Sequence, residues 1–115
     1  MKAAEIGEQL GYTILTTCNS EQEVKSGYTS DLLSDVMGNA PEASILITIQ
    51  AHKNTIAVAS LKDFPAIVIC NDRTVPEDMV KTAEEEGIIL MRTKDSQFDA
   101  SVKIAGLLGL VLPSG

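Results

Sequence analysis

The sequence predicts an α/β domain with a mainly parallel sheet of four to five strands, flanked by helices in two or three layers. Three runs, 44–49, 66–70 and 88–91, are apolar throughout rather than alternating, which suits parallel strands covered on both faces. Each run precedes a segment of helical character, and this alternation is typical of βαβ units. At 115 residues the chain has a common size for one domain, so we expect a single domain over residues 1–115.

The first two predicted elements are a helix and a strand. Ala3, Ile6 and Leu10 lie on one face of a helix over residues 3–10, and Gly11 suits its carboxyl-terminal stop. Residues 12–17 are rich in β-forming side chains and predict a strand.

A polar turn separates this strand from a second strand and a short helix. Residues 24–28 predict a short edge strand, although Gly27 weakens it. Ser30 is expected to cap a helix that begins at Asp31 and ends at Gly38.

Helices follow the three apolar runs. They are expected over residues 54–61, 75–86 and 97–108. Thr74 and Ser96 have the spacing of capping-box residues, and Asn54 also occupies a capping position. In the last helix Phe98, Val102 and Ala105 share a face. The apolar tail over 109–113 is expected to pack on its own domain or to form a subunit contact.

Charge and composition exclude several function classes. The formal net charge is −7 and aromatic residues are scarce, so we expect neither nucleic-acid nor membrane binding. Cys18 and Cys70 are the two cysteines and His52 is the sole histidine, a set too sparse for a structural metal site. The amino terminus is too polar for a secretory signal, so we expect a cytoplasmic protein with free thiols.

Polar side chains cluster where the three apolar strands end. In parallel α/β sheets such ends form the crevice where ligands bind. The candidate ligand-binding residues are Gln50, His52 and Asn54 after the first run, Asn71, Asp72, Arg73 and Thr74 after the second, and Thr93 after the third, with Arg92, Lys94 and Asp95 beside it. Neighbouring strands would bring these residues to one edge of the sheet, as a cradle for an anion or a nucleotide phosphate.

Structural explanations compete with ligand binding at these positions. Asn54 and Thr74 can serve only as helix caps, and Arg73 can pair with Asp72 rather than with a ligand. His52 can be an ordinary loop residue. The chain contains no G-x-x-x-x-G-K-[ST], G-x-G-x-x-G or G-x-S-x-G motif, so we expect a protein that is not an enzyme and carries no cofactor.

The stretch Cys70-Asn-Asp-Arg-Thr74, with its apolar run and the helix leading to Glu84-Glu-Glu-Gly-Ile88, resembles the DRTGG domain. Upstream, Gly27-Tyr-Thr-Ser-Asp31 fits the same pattern, so the resemblance covers roughly residues 12–108. Val75 and Pro76 replace the two glycines of the family name. The resemblance implies a regulatory or dimerising module, with the fold of the N-terminal domain of HPr kinase/phosphorylase and without its kinase half.

Together these observations predict a regulatory module that binds a small anionic ligand, either a nucleotide or a metabolite, or a partner protein, as a homodimer. One alternative is a structural or adaptor subunit of a larger metabolic or redox complex. Another is a phosphotransfer component that uses His52 or Asp72 as the acceptor.

Overall fold

The computed structural model describes residues 1–110. Its elements alternate between strand and helix for most of the chain. In order they are α1 Ala3–Leu10, β1 Thr13–Ile14, β2 Ser26–Thr29, α2 Leu33–Asn39, β3 Ser44–Thr48, α3 Lys53–Leu61, β4 Ala66–Ile69, α4 Glu77–Glu86, β5 Ile89–Arg92 and α5 Gln97–Leu107.

The five strands form one sheet in the order β1-β5-β4-β3-β2. Strands β2, β3, β4 and β5 are parallel neighbours, and β1 runs antiparallel to β5, with Thr13 opposite Arg92. The predicted α/β class with a mainly parallel sheet is therefore confirmed.

Helices cover both faces of the sheet, so the domain has three layers. One face packs against α2, α3 and α4 through residues such as Val36, Ile56 and Met79. The other face packs against α1 and α5 through Ile6 and Ile104. The strand side chains alternate between these two clusters, which explains why the apolar runs contain no polar alternation.

Helix α1 packs tightly on the sheet at Gly7. A Cβ atom at this position would lie 2.8 Å from Met91 Sδ and 3.0 Å from Ile14 Cδ1. The helix ends as predicted at Gly11, whose φ of 69° is the left-handed conformation of a carboxyl-terminal cap.

The strand predicted over residues 12–17 is shorter in the structure. Leu15 N still donates to Leu90 O at 2.8 Å, but the Leu90 N–H is accepted at 3.2 Å by the Thr16 hydroxyl instead of a backbone carbonyl. The side chain thus ends the backbone ladder. Strand β2 is an edge strand as expected, shifted to Ser26–Thr29.

Three helices begin at other residues than predicted, α2 and α4 later and α3 one residue earlier. Helix α2 begins at Leu33, and Ser30 Oγ instead accepts from Leu32 N at 3.2 Å in a local turn. Helix α3 begins at Lys53 and is capped by His52, so the predicted Asn54 cap is wrong. Helix α4 begins at Glu77 because Pro76 is extended, with ψ of 148°, and the predicted Thr74 cap is wrong as well.

Helix α5 begins with the predicted Ser96 cap, whose side chain accepts from Asp99 N at 3.1 Å. Its buried face is formed by Ala100 and Ile104, whereas Phe98 and Val102 are exposed. The predicted packing of the tail lies mostly outside the described residues. Within residues 1–110, no helix is both long and apolar enough to cross a membrane.

Candidate functional site

The loops after β3, β4 and β5 meet at one edge of the sheet, which we call the rim (residues 49–52, 70–76 and 93–96). Parallel neighbours bring these loops together, and backbone hydrogen bonds join the loops after β4 and β5. Asn71 N donates to Asp95 O and Asp72 N donates to Thr93 O, both at 2.9 Å. The second and third predicted clusters are therefore in direct contact.

The loop after β4 begins with a turn in the left-handed conformation. Asn71 has a φ of 61° and Asp72 a φ of 53°, and Arg73 N donates to Cys70 O at 3.4 Å. Asn and Asp tolerate this conformation better than other side chains, so the Asn-Asp pair explains why the chain can reverse here.

Asp31, which the sequence analysis did not select, anchors the rim beside β3. Its Oδ1 accepts from Thr48 Oγ1 at 2.8 Å and from Ile49 N at 2.9 Å. Its Oδ2 accepts from Gln97 Nε2 at 3.1 Å. Burial alone would raise the pKa of Asp31, but these hydrogen bonds and the charge of Arg73 hold the pKa below its usual value.

The first predicted cluster divides between two tasks. Gln50 Nε2 donates to the Asp31 carbonyl at 2.9 Å, so Gln50 belongs to the Asp31 network. His52 Nδ1 accepts from Asn54 N at 3.0 Å and caps α3. His52 and Asn54 are exposed on the first turn of that helix, and no hydrogen bond within residues 1–110 joins either side chain to the other two loops.

The remaining predicted residues differ in exposure. Arg73 and Thr74 are exposed, and the charge of Arg73 acts on Asp31. Thr93 is buried, and its Oγ1 accepts from Asp95 N at 3.1 Å.

Asp72 does not pair with Arg73, since its carboxylate lies 2.9 Å from Arg92 Nη2. The predicted alternative of an Asp72–Arg73 pair is wrong.

A polar cavity of about 460 Å³ opens beside the rim, between the end of β5, the start of β1 and helix α5. We call it the basic cavity because three cations line it. Its lining residues are Leu10, Gly11, Tyr12, Thr13, Asp72, Arg92, Thr93, Lys94, Asp95 and Lys103. Asp72 and Thr93 were candidate ligand residues, whereas Tyr12, which follows α1, and Lys103, which lies in α5, carried no sequence signal.

Two ion pairs organise the basic cavity. Besides the Asp72–Arg92 pair, Asp95 Oδ2 accepts from Lys103 Nζ at 2.9 Å and from the Tyr12 hydroxyl at 2.7 Å. The hydrogen bonds from Lys103 and Tyr12 lower the pKa of Asp95. Burial, together with the hydrogen bond to Asp95, raises the pKa of Tyr12, so the phenol stays protonated at neutral pH.

The thiol and the imidazole at the rim both have structural surroundings. Burial raises the pKa of Cys70 to about 11, which keeps this thiol protonated at neutral pH. His52 uses Nδ1 as a helix cap. Among the described residues, no group of three or more His, Cys, Asp or Glu side chains is placed to hold a metal ion.

Comparison with known families shows a match to the HPr serine kinase N terminus over residues 36–108. This range includes β3, β4, β5 and every candidate ligand residue. It covers more than half of the chain.

One similar protein is an HPr kinase/phosphorylase of Streptococcus uberis, 38% identical over 73 residues. The match covers 62% of this chain and 24% of that protein, so the chain spans about a quarter of its relative.

A solved structure shares the fold. It contains the CBS and DRTGG domains of the regulatory region of Clostridium perfringens pyrophosphatase, complexed with the activator diadenosine tetraphosphate. The TM-score is 0.73 at 16% identity, and the match covers 90% of this chain and 45% of that chain. The resemblance predicted from the residues around Asp72 is confirmed by these matches.

Proposed function

The chain belongs to the family defined by the HPr serine kinase N terminus, and we propose that it is a non-catalytic regulatory module that binds a small anionic ligand. The similar fold in a pyrophosphatase regulatory region, solved with a nucleotide activator, supports a nucleotide or a related metabolite as the ligand. The free thiols of Cys18 and Cys70 are consistent with a cytoplasmic setting.

The observation that carries this proposal is the concentration of positive charge at the rim and the basic cavity. The chain has nine Lys and Arg residues and a net charge of −7, yet four of the nine lie at or beside one edge of the sheet, together with the three carboxylates of Asp31, Asp72 and Asp95. The four cations are Arg73, Arg92, Lys94 and Lys103. Clustering against the overall charge favours an anionic ligand there. The proposed ligand residues remain Gln50, His52, Asn54, Asn71, Asp72, Arg73, Thr74 and Thr93.

Thermal unfolding against a panel of ligands tests the proposal. The panel contains adenine and guanine nucleotides, sugar phosphates and inorganic anions, with uncharged nucleosides as controls. A ligand at 100 times its Kd adds about 2.7 kcal/mol to the free energy of unfolding, which gives a measurable increase in Tm. An increase with an anion and none with its uncharged analogue is expected. No increase with any anion in the panel would contradict the proposal.

Two variants locate the ligand in the same assay. Loss of the increase in Arg73→Ala would assign the ligand to the exposed turn after β4, and loss in Lys94→Gln would assign it to the basic cavity. Lys81→Gln removes an exposed cation of α4 that belongs neither to the rim loops nor to the lining of the basic cavity, and it serves as the matched control.

A second observation favours self-association as a homodimer. Edge strand β2 lies beside a small cavity of about 180 Å³ whose lining carries no charge. Next to it, α5 exposes 76% of Phe98 and 57% of Val102. In a chain with a net charge of −7, two copies approach with least repulsion at an uncharged surface. An open strand edge can pair with the same edge of a second copy.

Light scattering at micromolar concentration tests the homodimer. The wild type is expected to show twice the monomer mass and Val102→Glu the monomer mass. Leu61→Glu is the matched control, because Leu61 is 73% exposed on α3, on the opposite face of the sheet. A monomeric wild type would contradict the homodimer and would favour binding of a different partner protein.

A further inference from the structure

The basic cavity holds more positive than negative charge. Arg92, Lys94 and Lys103 face two carboxylates, Asp72 and Asp95. Asp95 accepts hydrogen bonds from Lys103 and Tyr12, and Asp72 forms an ion pair with Arg92. Within residues 1–110 Lys94 forms no ion pair or hydrogen bond and is exposed, so one cation at the cavity has no counter-charge.

Arg92 has donors that the protein does not use. Its Nη2 donates to Asp72 Oδ1 at 2.9 Å and approaches the Asp72 carbonyl at 3.4 Å. Its Nε is shielded from solvent and has no hydrogen-bond partner among the described residues. A guanidinium carries five N–H donors in a planar fork that matches a phosphoryl group, so a second acceptor would improve the hydrogen bonding of Arg92.

The partner of Arg92 is held by a left-handed turn. Asp72 and Asn71 both have positive φ, a conformation that Asn and Asp adopt more readily than other non-glycine residues. The two backbone hydrogen bonds to Thr93 and Asp95 keep the turn in place. The carboxylate of Asp72 therefore lies at the lining of the cavity and accepts from Nη2 of the Arg92 guanidinium.

We propose that the basic cavity binds a phosphorylated small molecule and that the Asp72 carboxylate competes with its phosphoryl group for Arg92. This inference rests on the proposed function and assigns its anionic ligand to Arg92, Lys94 and Lys103 rather than to Arg73. In the unliganded state the Asp72 carboxylate accepts a hydrogen bond from Arg92 Nη2. When the ligand binds, its phosphoryl oxygens become the acceptors of the guanidinium, and the unpaired Lys94 supplies a second positive charge.

The dimensions and lining of the cavity define the ligand class. A volume of about 460 Å³ lies in the range of pockets for small molecules and exceeds what an isolated phosphate ion fills. The lining is mainly polar, which disfavours an apolar ligand. Besides the charged groups, the exposed Thr13 at the start of β1 offers a hydroxyl to the rest of the molecule.

Nuclear magnetic resonance separates the two arginines directly. The chain contains two arginines, Arg73 and Arg92, so its ¹H–¹⁵N spectrum has two arginine Nε–H signals. The signal that disappears in Arg73→Lys belongs to Arg73, and the other belongs to Arg92. Inorganic pyrophosphate is titrated at constant ionic strength. We expect the chemical shift of the Arg92 signal to change as pyrophosphate is added and to reach a constant value at saturation. Movement of the Arg73 signal alone would overturn this inference and leave anion binding intact. Movement of neither signal would overturn it and also weaken the proposed function.

Variants of the carboxylate test the competition. Asp72→Asn retains a side chain that tolerates the left-handed turn and removes the competing charge, so pyrophosphate is expected to bind about threefold or more tightly. Asp63→Asn is the matched control, because Asp63 is exposed and also left-handed, with φ of 55°, but does not line the cavity. Unchanged or weaker binding to Asp72→Asn would overturn the competition.

The unpaired lysine supplies an independent measurement. Lys94→Gln is expected to weaken pyrophosphate binding about fivefold, the loss typical of an exposed charged contact. Lys81→Gln, on the far side of the sheet, is expected to leave the affinity unchanged. Equal affinities of the Lys94 and Lys81 variants would place the anion outside the basic cavity and overturn the inference.

Discussion

The Asp72 carboxylate lies 2.9 Å from the Arg92 guanidinium, which ties the loop after β4 to the last residue of β5. The adjacent Arg73 acts instead on Asp31, at the other side of the loop. Two neighbouring residues of the sequence therefore serve two different parts of the rim. The left-handed turn is the physical reason, because it directs the Asp72 side chain toward β5 rather than toward its neighbour.

Replacement of Ser96 tests the helix starts. Ser96→Ala removes the side chain that accepts from Asp99 N, so we expect a loss of about 1 kcal/mol in the free energy of unfolding. Thr74→Ala removes an exposed side chain that caps no helix and is expected to change stability by less than about 0.5 kcal/mol. Urea unfolding measures both. Equal losses would mean that Thr74 caps α4 in solution.

These two residues also show what sequence spacing can predict. Ser96 and Thr74 have the same capping-box spacing, yet only Ser96 caps a helix. The difference is Pro76, which takes an extended ψ and becomes the first flanking residue of α4 itself. Apolar runs predicted the strands well because a strand buried on both faces has few alternatives. Helix starts depend on local competition between side chains and are less predictable.

Asp31 is expected to contribute more to stability than an ordinary surface aspartate. Asp31→Ala leaves Ile49 N and the Thr48 hydroxyl without their acceptor, so we expect a loss of about 2 kcal/mol. Asp31→Asn retains one oxygen acceptor and should lose less. Asp63→Asn, an exposed residue whose side chain makes no hydrogen bond within residues 1–110, is the control. A small effect of Asp31→Ala would mean that water replaces the carboxylate.

The contribution of Asp31 is expected to depend on pH. Its folded pKa is below the usual value of 3.8, so the unfolded chain takes up the proton first as pH falls. The stabilisation is therefore complete well above pH 3.8 and is lost as pH falls through the folded pKa. The difference in unfolding free energy between wild type and Asp31→Asn should shrink over that acid range. A constant difference would contradict the lowered pKa.

Gly7 is expected to be intolerant of a side chain. In Gly7→Ala the new Cβ would meet Met91 Sδ at 2.8 Å and Ile14 at 3.0 Å, so we expect a loss of about 1–3 kcal/mol from overpacking. Gly38→Ala is the control, because a Cβ there meets nothing within 4 Å and alanine favours the helix by about 0.5–1 kcal/mol. In thermal unfolding we expect Gly7→Ala to lower Tm and Gly38→Ala to raise it. A stabilised Gly7→Ala would mean that α1 can move away from the sheet.

The candidate site was predictable only where it followed strand ends. Asn71, Asp72 and Thr93 follow β4 and β5 directly, and the structure joins them through backbone hydrogen bonds. Tyr12 and Lys103 lie 83 and 8 residues from Asp95 along the chain, and only the packing of α1 and α5 on the same face brings both to it. Contacts that depend on how whole helices pack leave no mark in local spacing.

The two thiols are expected to differ strongly in reactivity. Cys70 is fully buried and its pKa is raised to about 11, so at neutral pH it has very little of the reactive thiolate and no access to reagent. Cys18 is partly exposed, with its thiol 3.5 Å from the Ile88 carbonyl. Under native conditions iodoacetamide should therefore modify Cys18 first, and Cys70 should react only as the domain unfolds.

Peptide mass spectrometry measures the labelling of each cysteine, and full denaturation supplies the control in which both react. Native labelling of Cys70 as fast as Cys18 would show that the strand end beneath the Asn71–Asp72 turn opens in solution, and the turn could then not hold Asp72 against Arg92.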